Sequence, residues 1–304
     1  MANEISVIIL TYNEELHIER CIKNIQPIAK EIFIIDSFST DNTVKIAENL
    51  GAKVFQRAFK NHADQFQWGL DNCPVKTQWV MRMDADEYLE NPLIEEIQIK
   101  LDKLPSNTNG VYLKRKHYFL GRWIKYGGRY PLVLLRIWKN GTAHIENRWM
   151  DEHVVLDSGS SVIFNGDFVD DNLNTISWFI DKHNRYASRE MIEILNQKYQ
   201  LFNRDLSLDE TKQSQAKLKR FIKQNIYNQL PVFFRPTLYF IYRYFIRFGF
   251  LDGAEGFAYH FMQGFWYRCL VDLKCLEAER LLNGAKTNEE KTHCLAQLTG
   301  LELN

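Results

Sequence analysis

Asp84 and Asp86 are separated by one residue and follow the apolar run Trp79-Val80-Met81-Arg82-Met83, so two carboxylates stand where a β-strand is expected to end. Hard oxygen ligands in that arrangement suit Mg²⁺ or Mn²⁺, which keep coordination positions open for phosphate oxygens. A lone Asp-x-Asp is a common acidic turn, and its weight here comes from company. Two other apolar runs also end on polar groups: Ile5–Leu10 on Thr11-Tyr12-Asn13-Glu14, and Glu31–Ile35 on Asp36-Ser37. Ligands of open α/β sheets bind outside the carboxyl ends of the strands, so the three ends outline one crevice. No Gly-x-Gly-x-x-Gly follows the first run and no Walker-type Gly-Lys-Ser/Thr occurs, which argues against a nicotinamide dinucleotide or an ATPase phosphate loop. The crevice is acidic instead. It suits a phosphorylated ligand only if a cation intervenes.

The elements that must position these groups alternate. Strands are predicted at Ile5–Leu10, Glu31–Asp36, Lys53–Arg57 and Gln78–Met83. Helices are predicted at Glu14–Ala29, Asp41–Leu50, Ala63–Asn72 and from Asn91-Pro92, as N-cap and first helical residue, to about Leu104. Alternation with short connections implies right-handed crossovers and a parallel, doubly wound sheet. From Gly110 the texture changes. Strands are expected at Gly110–Leu120 and Leu132–Trp138, with another strand pair through His153–Leu156 and Ser161–Asn165. Asn174 is then expected to cap a long helix to about Leu201, and helices follow to the end.

Together the segments ISVIILTYNEE (5–15), IIDSFSTDNT (34–43) and WVMRMDADE (79–87) resemble the signatures of inverting glycosyltransferase family 2. The likeness is to bacterial enzymes that build lipopolysaccharide core, capsule or exopolysaccharide. It continues through GRWIKYGGRYP (121–131), MDEHVV (150–155) and KHNRYA (182–187), covering roughly residues 4–200. The resemblance implies an α/β, Rossmann-like domain of the glycosyltransferase A type with a mixed sheet, followed by a helical C-terminal region. Residues 1–202 would form the catalytic domain, with a nucleotide-binding half (1–104) and an acceptor-side half (105–202), and residues 203–304 the helical region.

The resemblance also implies site roles. Thr11, Tyr12, Glu14, Gln65 and Ala85 would line the nucleotide slot, Asp36 would accept a hydrogen bond from the base, favouring uracil, and Asp84 would sit near the ribose. Asp86, with Asp84, would ligate the Mg²⁺ or Mn²⁺ that bridges the diphosphate. An inverting transfer needs a carboxylate to take the acceptor hydroxyl proton. The matching acidic pair is Asp151-Glu152, with Glu152 the expected base; His153 or His144 could complete the metal shell. Lys182 and His183 would approach the acceptor, unless their helix face is simply solvated. Two positions depart from the pattern. Phe66 stands where relatives carry a basic residue, for which Lys60 or Arg57 could substitute, and Asp170-Asp171 stands where many carry His-Tyr.

Composition sets the remaining bounds. The chain has 304 residues, with 38 Lys+Arg against 38 Asp+Glu, so net charge offers no footprint for nucleic acid. Five scattered cysteines, none in a Cys-x-x-Cys pair, suggest neither a disulfide framework nor a zinc site. No apolar stretch reaches the ~20 residues of a spanning helix, and no signal peptide is expected. Between Thr211 and Leu251 lie eight basic residues (Lys212, Lys217, Lys219, Arg220, Lys223, Arg235, Arg243 and Arg247) and no acidic ones. The i+4 spacing of Arg243 and Arg247 among aromatics, with Arg235 on the same stripe, suggests a basic face against an anionic membrane, a dimer interface being the alternative. The expected activity is metal-dependent inverting sugar transfer from a nucleotide sugar, uridine-linked, to a glycolipid or saccharide acceptor at the inner face of the cytoplasmic membrane. The competing readings are a sugar nucleotidyltransferase, which would need a Gly-rich basic loop after strand one, and a non-catalytic nucleotide-sugar-binding protein at the membrane surface.

Overall fold

The computed structural model describes residues 5–148, 152–202 and 227–303. The chain divides into two units, Met1–Glu146 with His153–Leu173 and Asn147–Glu152 with Asn174–Asn304.

In the first unit the chain runs β1 (Ile5–Thr11), α1 (Ile18–Ile25), β2 (Ala29–Asp36), α2 (Thr43–Asn49), β3 (Lys53–Gln56), α3 (His62–Asn72), β4 (Trp79–Asp84), β5 (Glu87–Leu89) and α4 (Asn91–Lys100). It continues with β6 (Thr108–Phe119), β7 (Arg122–Trp123), β8 (Leu132–Lys139), β9 (Ala143–Ile145), β10 (Val154–Leu156) and β11 (Ser160–Asp171). Nine strands form one mixed sheet in the order β3-β2-β1-β4-β8-β6-β11-β5, with β7 beside β6. β1 to β4 are mutually parallel where they pair, whereas β8 runs antiparallel to both β4 and β6. This is the expected Rossmann-like domain with a mixed sheet. Strand order reverses between β1 and β4, and the crevice at such a switch point is where α/β sheets take ligands.

Period-two alternation explains the layers. Ile5, Val7 and Ile9 join Ile18, Ile22 and Ile25 of α1 in one core, while Ile8 joins Phe33, Ile35 and Phe66 on the opposite face. Gly51 ends α2 at φ +85°, as its position in the sequence suggests. At Gly166 a Cβ would lie 2.5 Å from Leu93 Cα, so only glycine lets β11 pass the start of α4.

Several boundaries differ from expectation. α1 starts at Ile18 because Tyr12–Glu15 form a loop tied to the loop after β2. Glu90, not Asn91, is the N-cap of α4. β10 pairs with β9 in a separate two-stranded sheet instead of with the strand after it; β11 runs through to Asp171, parallel to β6 and antiparallel to β5.

The second unit is helical: α5 (Ile176–Tyr199), α6 (Phe234–Ile241), α7 (Gly253–Tyr259), α8 (Tyr267–Leu282) and α9 (Asn288–Thr299). π-helical stretches at Tyr242–Ile246 and His260–Trp266 extend α6 and α7. Thr175, one residue later than expected, caps α5 by accepting from the Trp178 N–H at 3.3 Å. Ala187, Met191, Ile192 and Leu195 of α5 pack with Val271, Cys275, Ala278 and Leu282 of α8. This burial draws α5 to the C-terminal helices, so the division falls at 173/174 instead of 202/203.

Candidate active site

At the C-terminal edge of β1 and β2 the chain laces two loops together. Thr11 is paired with Asp36 in the ladder, and its Oγ1 donates to Asp36 Oδ1 at 2.9 Å. Asn13, at φ +55°, donates its N–H to Ser39 Oγ at 2.8 Å while its Oδ1 accepts from the Thr40 N–H at 2.8 Å. Glu14 N–H donates to Thr43 Oγ1 at 2.7 Å. These bonds compensate for backbone groups that leave the ladder at a strand end. They leave the Tyr12 ring exposed at the loop tip.

Asp36 itself is fully buried. Its carboxylate accepts from Thr11 Oγ1, from the Ser39 N–H at 2.8 Å and from Ser39 Oγ, with Gln56 Nε2 at 3.4 Å. A carboxylate has about four acceptor sites, so the geometry shows Asp36 as the organiser of this loop. Gln65 is also buried, donating to Ser37 Oγ and the Arg57 carbonyl at 3.2 Å each. Glu14 accepts from His17 Nδ1 at 2.7 Å, and His17 Nε2 accepts the Leu173 N–H at 2.9 Å. That second bond assigns the ring proton to Nδ1.

β4 delivers the second half of the site. Ala85 is buried beneath the turn that carries Asp84 and Asp86. The Asp84 side chain is 38 % exposed, with Oδ2 3.3 Å from Arg136 Nη2 and Oδ1 3.5 Å from Arg82 Nε. Burial opposes its ionisation, but Arg82 and Arg136 outweigh it and hold the carboxyl well below the usual range. Glu87 is buried, accepting from Arg136 Nη2 at 2.6 Å and from the Asp84 N–H at 2.9 Å; burial pushes its carboxyl up, with Arg136 opposing and Asp84 adding to the rise. Asp86 Oδ2 accepts from Asn172 Nδ2 at 2.9 Å, and the Asp86 carbonyl accepts from Arg20 Nη2 at 3.0 Å. Among the described residues the second carboxylate oxygen of Asp86 has no hydrogen-bond partner.

The two departures in sequence acquire physical partners. Phe66 is buried edge-on to Trp138, and the Arg82 guanidinium lies 5.1 Å from its ring centroid. Of its suggested substitutes, Arg57 is tied to Asp64 at 2.7 Å. Asp170 pairs with Arg115 at 3.3 Å and His117 at 3.1 Å, while Asp171 pairs with Arg20 at 2.8 Å.

Sequence reasoning missed Arg136, Arg20, Glu87 and Asn172. Arg136 carried a signal: it is the lone charge inside the apolar strand Leu132–Trp138, and buried arginines require a carboxylate partner. Asn172 is set beside Asp86 by the pairing of Asp170 with Glu87, which no local pattern reveals.

His144 and His153 each have a local carboxylate partner. His144 Nδ1 lies 2.6 Å from Asp157 and His153 Nδ1 lies 3.3 Å from Glu146. Asp151 lies outside the described residues. Glu152 belongs to the second unit, where burial lowers the Arg189 guanidinium and the negative charge of Glu152 acts against that shift. On α5, Lys182 Nζ sits 4.5 Å from the Trp178 ring centroid. His183 is buried, stacked on Phe179 at 3.8 Å, with Nδ1 2.8 Å from the Phe179 carbonyl. That ring packs within the second unit, so the acceptor role expected of it stays a proposal.

The basic stripe is also corrected. Arg235 is 5 % and Arg243 3 % exposed. Arg235 is held by Asp272 in a two-nitrogen pair, and Arg243 lies between the Tyr239 and Tyr259 rings at 5.4 and 5.5 Å. Only Arg247 of the three faces solvent. The lysines and arginine at 212–223 lie outside the described residues.

A family model described as "Glycosyl transferase family 2" matches residues 6–172. An uncharacterized glycosyltransferase of Rickettsia bellii (strain RML369-C) is 41% identical over 98 residues, 32% of this chain and 33% of its own length. A second, from Rickettsia conorii, is 38% identical over 98 residues, 32% of this chain and 34% of its own length. The match thus spans about a third of the length of these relatives. Among solved structures, glucosyl-3-phosphoglycerate synthase from Mycobacterium tuberculosis in complex with Mn²⁺, uridine-diphosphate and glucosyl-3-phosphoglycerate is 24% identical, with a TM-score of 0.30, covering 38% of this chain and 44% of that one.

Proposed function

We propose, because the chain belongs to glycosyl transferase family 2, that it transfers a sugar from a nucleotide sugar, with inversion, to a saccharide or glycolipid acceptor of cell-surface polysaccharide synthesis. The observation that carries this reading is convergence. Thr11 with Asp36, and Asp84 with Asp86, stand at the carboxyl ends of three neighbouring parallel strands at a topological switch point.

Asp84 and Asp86 fit a divalent cation. Among the described residues no group of three or more His, Cys, Asp or Glu side chains is arranged to hold a metal. Two aspartates at one strand end suit an ion that takes its other ligands from water and phosphate, as Mg²⁺ does. When bound, such a cation neutralises the departing nucleoside diphosphate. Arg82 and Arg136 keep Asp84 ionised for that purpose, while Arg20 and Asn172 fix the Asp86 turn. Asp36, which the family resemblance sets against the base, also holds Thr11 and Ser39 at the rim of that pocket, and uridine as the base is carried by the same resemblance. Glu152 takes the proton from the acceptor hydroxyl as it attacks the anomeric carbon.

Calorimetric titration of nucleotide sugars with Mn²⁺ tests the reading. Asp86→Ala should keep the fold and weaken donor binding about 10–100-fold, the range that corresponds to a lost charged contact of about 1.5–3 kcal/mol. Wild-type affinity in the variant would defeat the metal assignment. Failure of the wild-type chain to bind any nucleotide sugar would defeat the function.

A further inference from the structure

One face of α1 backs the turn that carries Asp84 and Asp86. His17, Arg20, Cys21 and Asn24 follow the i, i+3, i+4, i+7 spacing that sets side chains on one helix face. Asn24 exchanges hydrogen bonds with the Leu89 backbone at 2.6 and 2.9 Å, which fixes α1 against β5. Arg20 Nη1 donates to Asp171 Oδ2 at 2.8 Å, and Nη2 donates to the Asp171 carbonyl at 2.6 Å. His17 Nε2 accepts the Leu173 N–H at 2.9 Å, while Nδ1 donates to Glu14 at 2.7 Å. Residues 171 and 173 are thus both held to α1. Between them, Asn172 donates to Asp86 Oδ2.

We infer, on the reading of Asp86 as a metal ligand, that His17 is a positioning residue of the cation site: by anchoring Leu173 it holds Asn172 against Asp86 and keeps that carboxylate in one orientation. His17 stands at the N-cap of α1 yet makes no capping bond. Its ring is directed instead to a segment 156 positions away. The imidazole is fully buried, and burying it requires a partner for each ring nitrogen. Both partners lie on the donor edge, Glu14 in the loop after β1 and Leu173 beside Asn172. The Leu173 N–H lies past the end of β11 at Asp171, so the ring supplies the acceptor that a neighbouring strand cannot. Groups that orient a metal's carboxylate ligands typically govern metal affinity by about 10–100-fold. His17 acts through Asn172, one link further out, so the lower end of that range applies.

The test counts free Mn²⁺ by electron paramagnetic resonance as it is titrated into the full chain with UDP present. Two variants divide the ring. Asn at position 17 reaches the place of Nδ1 and keeps the bond to Glu14, whereas Gln reaches the place of Nε2 and still accepts from Leu173. His17→Asn should bind Mn²⁺ about 10-fold more weakly, with His17→Gln within about 3-fold of wild type. Asn172→Ala should match the loss in His17→Asn, and the double variant should lose no more than either, because the two residues act in series. Undiminished affinity in His17→Asn, equal losses in the Asn and Gln variants, or losses that multiply in the double variant would each overturn the inference. Asp86→Ala keeps the two readings apart. Mn²⁺ binding that survives it, or a wild type that binds no Mn²⁺, defeats the metal assignment and the role of His17 with it. Binding that Asp86→Ala abolishes and His17→Asn spares defeats the role of His17 alone. Amide hydrogen exchange without metal guards against a misfolded variant. In His17→Asn the Leu173 amide should exchange faster while those of Val7 and Ile9 in β1 stay protected. Loss of protection in β1 as well would make His17 a general support of the fold and overturn the inference.

Discussion

The two units treat polar and apolar side chains in opposite ways. In the sheet unit the apolar residues of β1, β2 and β4 are buried and the carboxylates gather on one edge, where Asp84 and Asp86 remain partly open. In the helical unit Arg235 and Arg243 are inside, and Phe245, Ile246 and Phe248 are outside. An edge that exposes hydrogen-bonding and ionisable groups in fixed positions offers chemistry to a polar ligand. A face that exposes apolar rings offers only area to a partner that removes it from water. On the proposed function the donor site belongs to the first unit, and Glu152, which lies in the second, is the exception to be tested.

The largest effect is expected at that exception. A general base acts on the acceptor hydroxyl and does not hold the donor, so Glu152→Gln should keep donor affinity near wild type while turnover falls ~10²–10⁴-fold. The measurement is transfer rate at saturating donor and acceptor, beside a donor titration. Loss of donor affinity would move Glu152 into the binding site and break the division of labour. An active Glu152→Gln with a dead Asp151→Asn would exchange the two roles.

A matched pair of substitutions gives the next effect. Arg136 in the sheet unit and Arg235 in the helical unit are both buried against carboxylates, Glu87 and Asp272, that are themselves buried. Removing one partner of a buried pair costs about 3–5 kcal/mol because the remaining charge is uncompensated. Arg136→Leu and Arg235→Leu should therefore both lower stability in denaturant unfolding by that order. Donor titration separates them. Arg136→Leu should also weaken donor binding, since Arg136 holds Asp84, whereas Arg235→Leu should leave it unchanged. Equal losses of donor binding would mean that the helical unit shapes the donor site.

The legible parts of this molecule were those with a local cause. Ile5–Leu10 and Trp79–Met83 read as strands because apolar, β-branched runs end on polar turns, and the Asp-x-Asp at the end of β4 was visible for the same reason. β5, β7 and β9 were not, because two or three residues carry no period. β11 was read short because its pairing with β6 shifts register between Ile163 and Asp167, around Gly166. The arginine stripe was legible as a stripe, but helical spacing cannot say which side faces inward. Asp272, 37 positions from Arg235, decides that. The boundary at α5 was similarly hidden, since an amphipathic helix states that one face is buried and not against what.

The smallest expected effect is the pH dependence that Asp84 contributes. Its carboxyl is held below the ordinary value of 3.8 by Arg82 and Arg136 against the opposing cost of burial. A carboxylate with a depressed folded pKa stabilises the fold at pH above its unfolded value, and that stability is lost as pH falls towards the folded value. Asp84→Asn cannot ionise and has no such term. Wild type should therefore melt above the variant at neutral pH, and the gap should narrow as pH falls below about 4. Because the side chain is 38 % exposed, solvent screens the pair and the gap is modest. Neighbouring Glu87 works in the opposite sense: burial raises its carboxyl, which favours the folded state more as pH falls, and because the charge of Asp84 adds to that rise the gap between the two proteins reports Asp84 together with its effect on Glu87. Melting temperatures of the two proteins from neutral pH down to about pH 3 give the comparison. A gap that stays constant with pH would show that Arg82 and Arg136 do not hold Asp84 ionised, and the polar edge of the sheet would lose its claim to being charged and ready for a cation.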